Sequence, residues 1–129
     1  QFAATEIPKD WTVIGLRRDK PLESRRINAR VKRMVDQGLL QEVQSLLSED
    51  PPLGSQARSA IGYAEVINHL AGATDWEQTV EKIKINTRRL AKGQRTWFKT
   101  FTFVEWITLT EASTPEEILG QTLRIIGSD

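Results

Sequence analysis

Between Lys82 and Lys99 the chain carries seven Lys or Arg residues and no Asp or Glu, with Trp97 and Phe98 set among them. Cationic heads beside aromatic rings are the residue types that hold phosphates and stack on bases. The formal net charge over all 129 residues is only +1, so the excess is local, and RNA is the first partner to consider. Like charges at helical neighbour positions repel one another unless an anion lies near. Contact with phosphate or nucleic acid is therefore the expectation, against the alternative of a solvated helix face. A second basic segment, Arg17 to Arg33, sets eight basic residues against Asp19 and Glu23. The last thirty residues reverse the sign, with Glu105, Glu111, Glu116, Glu117 and Asp129 against Arg124. This asymmetry points to one charged face.

Other chemistry finds little support. There is no cysteine, hence no disulfide, thiolate nucleophile or Cys-based zinc site in these residues. The lone histidine, His69, makes no metal cluster and is expected to be solvated near a helix end, because Gly72 follows shortly. No G-x-x-x-x-G-K-S/T phosphate loop, Ser/His/Asp set or zinc signature is found. Glu116 and Glu117 are explained by the helix start they flank. No apolar run approaches the ~18–20 residues of a membrane span, and no signal peptide is seen, so a cytoplasmic location and no membrane partner are expected. The sequence favours binding over catalysis.

The elements that position the basic block follow from periodicity and punctuation. At 39% apolar, the chain suits one compact unit with room for a core. The run at residues 12–16 reads as a buried strand. Residues 21–48 read as helical, interrupted at Gly38, with Arg26, Arg30 and Arg33 on one stripe. A Pro/Gly-rich loop leads to a helix over residues 59–71, where Gly62 suggests either close backbone approach to a ligand or tight helix packing. Thr74-Asp-Trp-Glu77 has the form of a capping box. It opens the longest helix, residues 75–101, with Trp76, Val80, Ile83, Thr87, Leu90, Gln94, Trp97 and Phe101 on a buried stripe. Lys84, Arg88, Lys92, Arg95 and Lys99 form a separate outward stripe. A second strand over residues 103–109 and a helix over residues 115–126, capped by Thr114 with Pro115 at its first position, complete the chain. Five helices and two strands make an α/β chain, mostly helical. Since two strands are a poor sheet alone, they are expected to belong to a larger one.

Three motifs resemble those of the tRNA dimethylallyltransferases (tRNA isopentenyltransferases). Arg26-Ile-Asn-Ala-Arg-Val31 with Met34, Gly38-Leu39 and Glu42-Val43 resembles their R-I-x-x-R-V-x-x-M-x-x-x-G-L-x-x-E-V run. Arg58-Ser-Ala-Ile-Gly-Tyr63 resembles R-x-x-I/V-G-Y. Thr87-Arg-Arg-Leu-Ala-Lys-Gly-Gln-Arg-Thr-Trp-Phe98 resembles T-R-x-L/Y-A-K-R/S-Q-x-T-W-F/L. One departure is Gly93, where the family has a basic or small polar residue, and a possible cation is lost.

The resemblance implies the C-terminal portion of such an enzyme, its two strands completing the sheet of a P-loop NTPase-like core. Those enzymes transfer a dimethylallyl group from dimethylallyl diphosphate to N6 of the adenosine 3′ of the tRNA anticodon, flipping the base out of its stack. The implied P-loop, Mg2+ and general-base aspartate would lie before Gln1, so this portion holds no catalytic or metal residue and is expected to be inactive alone. Its implied partner is the tRNA anticodon arm, through segments Arg58 to Tyr63 and Lys92 to Lys99. With Arg88 from the outward stripe, the candidates are Arg58, Ser59, Gly62, Tyr63, Arg88, Lys92, Gln94, Arg95, Thr96 and Lys99. The alternative is a free-standing helical RNA-binding module without catalysis.

Overall fold

A few caps decide where the helices begin. Asp19 accepts the Leu22 N–H on Oδ1 at 2.8 Å, so helix α1 (Lys20–Asp36) opens with Pro21 in its first turn, where a missing N–H costs nothing. Gly38, at φ +103°, ends that run and starts α2 (Leu39–Leu47). In the computed structural model, which describes residues 7–127, the remaining elements are β1 (Ile14–Arg18), α3 (Ser55–Arg58), α4 (Tyr63–Leu70), α5 (Trp76–Phe98), β2 (Glu105–Leu109) and α6 (Pro115–Ile126). Gln1 and Asp129, used in reading the sequence, lie outside the described residues.

Several starts and stops differ from expectation: α5 ends at Phe98, not 101, and β2 starts at Glu105, not 103. Asp75, not Thr74, caps α5: Asp75 and Gln78 exchange reciprocal N–H to side-chain bonds of 2.8 and 3.1 Å. Thr74 instead meets the Thr79 hydroxyl at 2.8 Å. The helix expected over residues 59–71 begins only at Tyr63, as α4, because Gly62 adopts φ +98°, outside any right-handed helix, and a separate single turn, α3, precedes it. The first strand lies two residues later than the apolar run suggests and takes in Arg17 and Arg18. Cross-strand contacts account for the shift: Arg17 Nε donates to Thr108 Oγ1 at 3.0 Å, and its guanidinium sits 5.7 Å from the centre of the Trp106 ring.

The chain divides into two compact units, not the single one expected from its length. The dividing points, at Glu23/Ser24 and Lys92/Gly93, fall within α1 and α5. The helical unit, residues 24–92, has a core of Val31, Leu39, Val43, Val66 and Ile83, with Ile27, Met34, Val35, Tyr63, Ile67, Trp76 and Val80 packed against it. His69 is half-buried in this unit and held by partners, not simply solvated. Its Nδ1–H donates to the Thr74 carbonyl at 2.8 Å, and its ring lies 5.1 Å from that of Trp76.

The sheet unit contains β1 and β2, paired in parallel with Ile14 opposite Glu105 and Arg18 opposite Leu109. Parallel strands cannot be joined by a tight turn, and here the intervening helices make the crossover. Leu22, Ile107 and Leu109 are its buried hydrophobic residues. On α6, Thr114 Oγ1 accepts the Glu117 N–H at 3.2 Å, as the cap signature predicts. Yet Leu119, Leu123 and Ile126 recur on one face of this helix and are 57%, 57% and 60% exposed.

Two glycines give opposite expectations. A Cβ on Gly15 would lie 2.5 Å from Trp106 Cζ3 and 2.8 Å from Val104 Cγ1. Gly15→Ala is expected to lower stability by about 1–3 kcal/mol in chemical denaturation, and less so in a Trp106→Ala background. Gly93 lies exposed within α5, with nothing within 4 Å of an added Cβ. Gly93→Ala is expected to raise stability by about 1 kcal/mol in the same assay.

Candidate nucleic-acid interface

In the helical unit the candidates cluster around the turn between α3 and α4. Arg58 ends the single-turn α3 and is exposed. Ser59 closes that turn, its hydroxyl donating to the Gln56 carbonyl at 2.7 Å. The chain then bends to Gly62, whose N–H donates to Glu65 Oε2 at 2.6 Å. This is half of a capping box, since glycine has no side chain to return the second bond. The reason for glycine here is backbone conformation, φ +98° and ψ −53°. Tight helix packing does not require it, because a Cβ would meet only Met34 Cε at 3.9 Å. Tyr63 turns its hydroxyl to the Glu42 carboxylate of α2. Burial, then the charge of Glu42 and this hydrogen bond, raise the phenol above its ordinary 10.0.

Helix α5 supplies Arg88 and Lys92 to the same unit. Arg88 is half-buried: Nη1 donates to Asn28 Oδ1 of α1 at 2.7 Å, and Nη2 lies 3.8 Å from Glu81. Arg88 therefore belongs to the scaffold as well as to the basic stripe. Lys92 and the neighbouring Arg89 are exposed, as are Arg26, Arg30 and Arg33 on α1. Asn86, two residues before Arg88, donates from Nδ2 to Glu65 Oε1 at 2.9 Å.

The sheet unit carries Gln94, Arg95, Thr96 and Lys99. Gln94, Thr96 and Lys99 are exposed, with Lys99 just past the end of α5. Arg95 is half-buried in an ion pair with Glu23 of α1. The expected buried stripe does not persist along α5. Ile83 is buried, but Leu90 is 52% and Trp97 46% exposed. The core cluster of the helical unit takes in α5 residues only as far as Ile83, so the apolar positions beyond it have no such partners. Trp97 instead meets Phe98 and Phe101 edge-on, at 4.9 and 4.8 Å between ring centres, and Phe103 extends the group.

Glu23, Asn28, Glu65 and Asn86 were not singled out in the sequence. Only Glu65 had a local signal, three residues after a helix-starting glycine; the other three bond partners distant in sequence. Among the described residues no three His, Cys, Asp or Glu side chains stand close enough to hold a metal.

Residues 1–101 match the family model described as IPP transferase. The chain belongs to that family. It is 39% identical over 114 residues to a tRNA dimethylallyltransferase of Petrotoga mobilis, covering 88% of this chain and 37% of that protein. The Bacillus cytotoxicus tRNA dimethylallyltransferase is 40% identical over 114 residues, with 88% of this chain and 36% of that one covered. Among solved structures, a tRNA isopentenylpyrophosphate transferase of Staphylococcus epidermidis aligns at TM-score 0.80 and 35% identity, over 93% of this chain and 39% of its own. A full-length tRNA isopentenylpyrophosphate transferase of Bacillus halodurans gives TM-score 0.80 and 34% identity, covering 90% and 38%. The chain thus spans well under half the length of the IPP transferase relatives it matches. Its mostly helical α/β architecture is the one expected from sequence.

The candidate residues therefore divide into internally bound and exposed ones, and stability separates them. Arg88→Ala is expected to cost about 1 kcal/mol, because Asn28 loses a charged donor. Arg58→Ala and Lys99→Ala, both at exposed positions, are expected to stay within about 0.5 kcal/mol of the parent. Denaturant unfolding of the three variants checks this ordering.

Proposed function

We propose that this chain is the tRNA-holding portion of a tRNA dimethylallyltransferase. The parent enzyme transfers a dimethylallyl group from dimethylallyl diphosphate to N6 of the adenosine 3′ of the anticodon. The observation that carries this reading is likeness over most of the chain to proteins named for that activity. The exposure of Arg58, Gln94 and Lys99 supports it, since these family-motif positions offer donors to an RNA backbone. Arg88 and Arg95 contribute less directly: their guanidinium groups are shared with Asn28, Glu81 and Glu23, and they set the helix from which neighbours reach phosphate.

On this reading the anticodon arm is held through its phosphates while the target adenine leaves its stack for a catalytic site elsewhere. The parallel strand pair and the uncovered α6 face fit a larger sheet protein, because parallel sheets are ordinarily covered on both faces. The described residues include no helix long and apolar enough to cross a membrane, which accords with a cytoplasmic tRNA enzyme.

A labelled anticodon stem-loop titrated by fluorescence anisotropy at two salt concentrations tests the binding role. Affinity is expected to fall with a log–log slope of about −0.7 to −0.9 per phosphate contact. Arg58→Ala and Lys99→Ala are each expected to shallow that slope by about one unit. A salt-independent affinity would reject the reading. In a prenylation assay the 129 residues alone are expected to give no product, since no phosphate-loop motif lies among them; measurable transfer would overturn that part.

A further inference from the structure

We propose that Glu65 is a positioning residue that locks the Arg58–Tyr63 turn to the basic helix α5, so that both meet the RNA in fixed register. The proposal rests on the RNA-holding role above. Among the described residues Glu65 is the one charged side chain that is buried, at 6% exposure. Burying a carboxylate is costly, and capping α4 needs only one of its oxygens in a position open to water. Here both are used. Oε2 takes the Gly62 N–H at 2.6 Å and Oε1 takes Asn86 Nδ2 at 2.9 Å.

The two donors belong to the two segments that the sequence motifs single out. Gly62 carries the turn that begins at Arg58 and Ser59, while Asn86 immediately precedes Thr87-Arg88-Arg89. Two residues on, Arg88 is tied to Asn28 of α1 at 2.7 Å. Polar bonds thus tie the turn through Glu65 to Asn86 of α5, and a separate bond two residues along that helix ties Arg88 to α1, all within the helical unit. Phosphates along an RNA strand are fixed in spacing. Cations held on two independent elements bind them well only if those elements are held in register, and a bidentate buried carboxylate does this without covering any cation.

The bond pattern suggests a swap. In Glu65→Gln the Gln oxygen can still accept from Gly62 and Asn86 can turn its amide to accept from the Gln NH2, but both bonds lose the charge that strengthens them. In Asn86→Asp two carboxylates face each other. In Glu65→Gln/Asn86→Asp the Gln oxygen accepts from Gly62 and its NH2 donates to Asp, with both bonds and the total charge restored. With the full polypeptide, each single variant is expected to weaken anticodon stem-loop binding about tenfold, and the double variant to return within about threefold of the parent. In the intact enzyme of which these residues are proposed to be part, the KM for tRNA in a prenylation assay is expected to rise in the single variants, with KM for dimethylallyl diphosphate unchanged. Asn86→Ala, which keeps the Gly62 cap, serves if a charged single variant does not fold.

Folded single variants that bind RNA as the parent does would overturn the proposal. So would a folded double variant that remains as weak as the singles. Amide hydrogen exchange gives a readout independent of RNA: the 59–63 turn is expected to exchange faster in Glu65→Gln and to recover in the double variant, and unchanged exchange overturns the bridge. If the parent binds no RNA at all, the RNA-holding role falls, while the exchange experiment still decides whether Glu65 fixes the turn.

Discussion

Parallel pairing of Ile14–Arg18 with Glu105–Leu109 is the constraint on which the rest of the chain depends. A hairpin would have let the two strands follow one another closely. Parallel register instead obliges the chain to leave one end of the pair and return to start the second strand in the same sense. The helices between the strands are long enough to form their own core, around Val43, Val66 and Ile83, and this is why two compact units appear where length suggested one. The pairing also explains Gly15. Opposite Trp106, with the indole carbons inside Cβ distance, only a residue without a side chain lets the indole lie against the strand and take Arg17 beside it.

The basic block gains a different meaning once its anions are located. Counted along the chain, Lys82 to Lys99 is an unbroken excess of positive charge. In space, Arg95 faces Glu23, and Arg88 faces Asn28 with Glu81 further off. These partners lie on α1 or two turns back on α5, beyond the reach of any count confined to the segment. A half-buried guanidinium bound in this way costs less than an isolated buried cation, and its fixed fork orients the helix it belongs to. The exposed Arg89 and Lys99, by contrast, lie at the surface without that burial. One basic segment therefore mixes internally bound guanidinium groups with exposed cations.

What the sequence made legible is mostly what short-range chemistry decides. Thr114 with Pro115 starts α6 as read, because a cap needs only the next three residues. Gly38 divides two helices because φ +103° is open to glycine alone without strain. The cap on α5 slips from Thr74 to Asp75 because both tetrapeptides satisfy the pattern, and only the reciprocal Asp75–Gln78 bonds separate them. Long-range effects were not legible. Trp97 was read as buried by extending a stripe that truly buries Ile83, but a stripe stays buried only while a partner surface continues. His69 was read as solvated from its place near a helix end, and its Thr74 and Trp76 contacts depend on how the loop after α4 returns. Among the candidate residues, Arg58, Gln94, Thr96 and Lys99 lie exposed, while Tyr63 faces Glu42, Arg88 faces Asn28 and Arg95 faces Glu23.

The contrast between the units bears on what this part of an IPP transferase is built to do. The helical unit closes its apolar residues into a core and spends a buried carboxylate on fixing a surface turn, a cost that stability alone does not ask for. The sheet unit leaves Leu119, Leu123 and Ile126 of α6 open, with the Trp97–Phe98 pair exposed as well. A parallel pair of strands with uncovered apolar neighbours is the form expected of part of a sheet, not of a sheet complete in itself. On the proposed reading the two features belong together. Rigid geometry is invested where a substrate backbone of fixed spacing must be matched, and apolar surface is left where the remainder of an enzyme would pack. On that reading the chemistry need not reside among these residues at all, since what they would fix is where the anticodon lies.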